Sequence, residues 1–152
     1  MSQLPFNASH LSRISNIHED VLPLSQLLFN RVNEAKSNYI ELDKDDYHAY
    51  RRVITLLANE GLITNKRVYP PIYALILGDE MMIYLLLCFE TNKFQELSRE
   101  MSNLPYRETI HIETLKNQLS IDSSFLASAF KTYESYGLGH CGSGGNTYRA
   151  IA

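Results

Sequence analysis

The chain has no tryptophan, only two cysteines, and a longest apolar run of nine residues, Met81–Phe89. That run falls well short of the roughly 20 residues a helix needs to cross a bilayer. Cys88 and Cys141 make no disulfide framework. Cys88 lies inside the apolar run and reads as a small core residue. Residues 1–20 have no continuous apolar stretch and carry His, Arg, Glu and Asp, unlike a signal peptide. These absences lead to the expectation of a cytoplasmic protein with no membrane partner.

Excess positive charge is also missing. The 152 residues hold 14 Lys/Arg against 17 Asp/Glu, a net charge of −3. Residues 1–76 balance eight against eight, while residues 77–152 hold six against nine. A uniformly basic nucleic-acid binder is excluded, so any DNA contact has to come from a local patch. Catalytic signals are missing too. None of the five histidines pairs with another His, Cys or carboxylate at a metal-ligand spacing, apart from the adjacent His140-Cys141, which is a weak signal. Gly142-Ser143-Gly144-Gly145 lacks a following Lys-Ser/Thr and opens no helix, so it reads as a hairpin turn and not a phosphate loop. No Ser/His/Asp or Cys/His set stands out. The expectation is a protein that is not an enzyme and has no catalytic residues, metal or cofactor.

What the sequence does carry is pattern. Asp79–Phe89 is hydrophobic on every side of a helix, which places it in the middle of a fold. Before it, Leu24, Leu27, Leu28 and Val32 make Pro23–Ala35 an amphipathic helix, and Tyr39–Leu42 reads as a short strand. Asp43–Asp46 begins a helix whose apolar face is Tyr50, Val53, Ile54 and Leu57, with Gly61 as its stop. No room is left between Leu42 and Asp46 for a separate preceding helix. Leu62–Leu75 reads as two strands, turning at Asn65–Arg67 or at Pro70-Pro71. After the central helix come a short helix over Phe94–Met101, a strand at Thr109–Ile112 and a short helix over Glu113–Leu119. A longer helix capped by Asp122 follows, with Leu126, Ala129, Phe130 and Tyr133 on its apolar face. Two strands then flank Gly142–Asn146.

A shift of 76 residues lays Asp122 on Asp46, Ala129 on Val53, Phe130 on Ile54, Tyr133 on Leu57 and Gly137-Leu138 on Gly61-Leu62. Each half reads helix, strand, helical region, hairpin, which is the winged-helix order. The expected fold is therefore α+β and mainly helical: a tandem winged helix with two similar halves joined by a buried central helix. The expected divisions are an arm at 1–17, a first half at 18–76 and a second at 77–152.

Arg51, Arg52, Lys66 and Arg67 form the only basic cluster, two on the expected recognition helix and two on the expected wing. They are the candidate contacts to phosphates of double-stranded DNA. The competing reading is a solvated face balanced by Asp43, Asp45 and Asp46. In the second half, Ser124, Ala127, Ser128 and Lys131, with Ser123, are expected on the open side of the long helix. Their small side chains suit a protein partner. Ten tyrosines suggest sizeable interfaces.

The stretch Tyr39–Tyr50 (YIELDKDDYHAY), together with Asp79-Glu80-Met81-Met82 and the apolar helix ending in Leu87-Cys88, resembles MukE-type proteins. These belong to the kite group, tandem winged-helix subunits of bacterial condensin-like complexes. The resemblance covers about a third of the chain. It implies a homodimeric, non-catalytic subunit that grips a kleisin bridging the heads of an SMC-type ATPase, in chromosome condensation and partition. The alternative is a small winged-helix transcriptional regulator of phage or plasmid type that reads DNA through the Arg51/Arg52 cluster.

Overall fold

The computed structural model describes residues 8–69 and 72–151, leaving out the side chains of Ala8, His10 and residues 67–69. The chain is α+β. Its first half runs α1 (Ala8–Ser15), α2 (Val21–Ala35), β1 (Tyr39–Leu42), α3 (Lys44–Ala49), α4 (Arg51–Asn59), β2 (Ile63–Tyr69) and β3 (Ile72–Leu77). The second runs α5 (Asp79–Phe89), α6 (Thr91–Ser102), β4 (Thr109–His111), α7 (Ile112–Leu119), α8 (Ser123–Ser135), β5 (Gly139–Gly142) and β6 (Thr147–Ala150), with a 3-10 turn at Ser143–Gly145. The same order, two helices, strand, two helices, hairpin, thus occurs twice. Each half forms an antiparallel three-stranded sheet with its last strand in the middle, β1-β3-β2 and β4-β6-β5.

Helix α5 keeps the bounds its composition dictates. Met81 through Leu86 are all buried, so no side of its central turns faces water. It packs against α1, α2, α6 and α8 and so belongs to both halves of the chain. Phe29 of α2 closes the junction, its ring 5.2 Å from that of Phe89 on α5 and 5.6 Å from that of Phe125 on α8. Tilted aromatic contacts of this kind add to the area they bury.

Several expectations are revised. Residues 8–15 lie inside the expected arm, yet they form α1, which inserts Ile14 fully into the core. The Ser15 hydroxyl meets that of Tyr84 at 2.8 Å, and Arg13 pairs with Glu80 and, at 3.8 Å, with Glu60. Two apolar side chains, Leu11 and Ile14, are enough to seat this short helix. A separate helix does precede α4. Asp43 caps α3 by accepting from the Asp46 amide at 2.8 Å, and the helix ends at Tyr50, whose backbone (φ −112°, ψ 15°) leaves the helical range. Each helix has its own anchor: Tyr47 of α3 stacks on Tyr73 of β3 at 4.3 Å, while α4 buries Val53, Ile54 and Leu57.

The first hairpin reverses between Tyr69 and Ile72, not at Asn65–Arg67, which lie within β2; Pro70 and Pro71 themselves are outside the described residues. The register slips between Asn65 and Arg67, so Lys66 is the extra residue of a bulge. Ile112 begins α7 and does not extend β4. In the second hairpin a Cβ at Gly139 would collide with the Tyr148 ring, so only glycine lets that ring lie flat on the strand. Among the described residues no helix is long and apolar enough to cross a membrane.

Candidate nucleic-acid interface

Helix α4 buries one side and turns Arg51, Arg52, Thr55 and Asn59 to solvent. The two arginines start the helix, and Thr55 bonds back to the Arg51 carbonyl at 3.0 Å. Arg51, Thr55 and Asn59 follow one another at i+4 spacing, so one stripe carries a cation, a hydroxyl and an amide. Thr55 and Asn59 join the expected arginines on this stripe, and their i+4 spacing from Arg51 is the sequence signal that marks them.

Two of the three acids expected to balance this cluster are engaged elsewhere, and Asp45 is exposed in the first turn of α3. Asp46 lies 3.5 Å from Arg31 of α2, and the Asp43 carboxylate caps α3. Among the described residues no ion pair engages Arg51, Arg52 or Lys66. Lys66 is exposed at the bulge of β2. Arg67 follows it in the strand, with its side chain outside the described residues. Bulges re-aim side chains, and Lys66 is the residue at this one.

The second-half candidates fare differently. Lys131 is exposed, but Ser124 and Ala127 are only half-open, and Ser128 is buried at 4% exposure. Ser128 stands three residues after Phe125 and one before Ala129, at the edge of the buried arc of α8, which packs against α5, α7 and β5. A small residue at that edge permits the close approach. The expected partner face is therefore narrower than the composition of the helix suggests. Asp122 caps α8 as expected, accepting from the Ser124 amide at 3.0 Å and its hydroxyl at 2.5 Å.

Two open clefts lie elsewhere. One of about 400 Å³ is lined by Arg31, Glu34, Ala35, Tyr39 and Glu41. The other, about 390 Å³, lies between the ends of α2 and α7, with Lys36, Lys116, Asn117 and Asp122 on its walls. Among the described residues no group of three or more His, Cys, Asp or Glu gathers as metal ligands would. Both cysteines are free, and burial pushes both thiols up from their ordinary pKa. Comparison with protein families, curated proteins and solved structures gives no match.

Proposed function

We propose that the chain is a non-catalytic tandem winged-helix interaction subunit of a DNA-organising complex of the condensin/SMC kind, working as a homodimer with a kleisin-type partner. The observation that carries this reading is the repeated topology. In both halves a helix, a strand and two helices lead into a hairpin whose second strand is central, β1-β3-β2 and β4-β6-β5. A winged helix has that connectivity, and its third helix is the element that meets DNA. The resemblance of Tyr39–Tyr50 and Asp79–Cys88 to MukE-type proteins supplies the partner class. The overall negative charge fits a subunit whose main contacts are with protein.

A second reading, a small winged-helix DNA-binding regulator, is favoured by one observation: Arg51, Arg52 and Lys66 are exposed on the first half and held by no acid among the described residues. Titration of random duplex DNA across a salt series separates the two. Each phosphate contact contributes about −0.9 to the log–log slope on duplex DNA. An interaction subunit alone binds feebly with a shallow slope, and Arg51→Ala with Arg52→Ala leaves its association with partner unchanged. A slope of several units that drops by about two in the double variant makes the protein a regulator, and the subunit reading is abandoned.

A further inference from the structure

The second sheet turns toward solvent a face unlike that of any helix in the molecule. Strand pairing sets Thr109, Arg149 and His140 side by side across β4, β6 and β5, and the next row is His111, Thr147 and Gly142. Thr109, His111, His140 and Arg149 are exposed. The alternate residues, Ile110, Tyr148, Ala150 and Gly139, pack inward, as the period of two requires. The outward rows hold no carboxylate.

This row continues past the start of β4. Arg149 donates from Nε to the Arg107 carbonyl at 3.2 Å, and the Arg107 guanidinium lies 5.2 Å from the centre of the Tyr106 ring. Tyr106 is the most exposed of the large apolar side chains, at 62%. Arg107 itself is held at φ +69°, a left-handed conformation that side-chain-bearing residues rarely adopt. Two bonds fix it there: its amide donates to the Ala150 carbonyl at 2.8 Å, and its carbonyl receives Arg149. Two acids lie nearby. Glu108 precedes β4 and is exposed beside Arg107, its carbonyl accepting from the Ala150 amide at 3.1 Å. Glu134 accepts from the Cys141 amide at 2.7 Å.

We infer that this face, running Tyr106–Arg107–Arg149–His140, is a binding surface for single-stranded nucleic acid. Arg149, on an outward row that holds no carboxylate, and exposed Arg107 beside it supply the phosphate contacts. An exposed tyrosine backed by a guanidinium and two imidazoles supplies flat faces on which unpaired bases stack. A duplex hides its base faces and would use only the arginines. An acidic protein segment would use the arginines and leave Tyr106 without a role.

The test is fluorescence anisotropy of the full chain with a labelled oligothymidylate of about 20 nucleotides, longer than the ~4–16 nucleotides a compact single-strand site covers. Arg107→Ala with Arg149→Ala should weaken binding about tenfold or more and flatten the log–log salt slope by about 1.4, two contacts at about 0.7 each. Tyr106→Ala should weaken it about tenfold, and Tyr106→Phe, which keeps the ring, should bind within about twofold of the parent. All three side chains are exposed, and an unchanged thermal melt shows that the variants remain folded. Arg51→Ala with Arg52→Ala, the pair that decides the duplex question, should change oligothymidylate affinity by no more than about twofold. Unchanged affinity in Arg107→Ala with Arg149→Ala overturns the proposal, as does loss through the Arg51/Arg52 pair alone. Equal binding of polyglutamate with no effect of Tyr106→Ala also overturns it and makes the face a site for acidic protein.

Discussion

Arg52 and Ser128 hold equivalent places in the two halves, 76 residues apart, and meet opposite surroundings: the arginine is exposed and the serine buried. Arg51 and Ala127 differ in the same sense. The cause is α5, which packs closely on α8 and widens its buried arc to Phe125, Leu126, Ser128, Ala129, Phe130 and Tyr133, against Val53, Ile54 and Leu57 on α4. Of the second half's basic side chains, α8 exposes one, Lys131, while Arg149 is exposed on the sheet and Arg107 just before it. A repeated topology therefore does not repeat a surface. Inserting one apolar helix beside one copy narrows the part of that copy's third helix that meets solvent and leaves an exposed row on its sheet.

Exchanging the equivalent residues should break this comparison most sharply. Ser128→Arg places a cation where no acid awaits it and should cost about 3–5 kcal/mol or prevent folding. Arg52→Ser should change stability by no more than about 0.5 kcal/mol. Urea unfolding of both variants is the measurement, and comparable costs would mean that α8 is as open as α4.

The next contrast is alkaline. Tyr148, fully inside the second half, has its hydroxyl pushed up to about 12 by burial, with Tyr133 and Cys141 adding to the shift. The unfolded chain gives up that proton near the ordinary value of about 10, while the folded chain holds it. The contribution is complete below pH 10 and is lost as pH rises toward 12, by up to about 2.5 kcal/mol. Tyr148→Phe should make the fall in urea midpoint shallower over this window. The remainder comes from Tyr84 and Tyr133, whose hydroxyls burial also raises. An identical slope in the variant would remove Tyr148 from the explanation.

The smallest effect tests where the halves agree. Gly61 and Gly137 close α4 and α8 with the same φ of +75°, and a Cβ at either would meet nothing within 4 Å. Alanine at each should cost about 1 kcal/mol through backbone conformation alone. Unequal costs in thermal melts would show that the two helix ends differ in ways their geometry does not reveal.

Much of this architecture is written in local patterns. Asp79–Phe89 could be bounded because every side of it is apolar, and Asp43 and Asp122 announce their helices because a carboxylate there satisfies a free amide. The exposure of Arg51 and Arg52 follows from the spacing of Val53, Ile54 and Leu57. What could not be read depends on distant partners. The break at Tyr50 reflects the stacking of Tyr47 on a strand more than twenty residues away. The burial of Ser128 depends on α5, and a serine at the rim of an apolar arc looks the same in sequence whether or not a helix covers it. The open row on the second sheet needed the register of three strands, which the short runs around Thr109 and His140 do not specify.

The aromatic junction at Phe29 also bears on how the protein is made. Its two ring partners, Phe89 and Phe125, emerge from the ribosome in turn, the second nearly a hundred residues later. Until then α2 carries an aromatic side chain that lacks at least one of its two ring partners, even when the first sheet is already paired. Synthesis from the N-terminus usually lets an early unit finish before a later one begins. Here the early unit waits for α5 and α8, and a nascent chain stalled before Phe125 would display that sticky patch to whatever chaperone or sister chain is nearby.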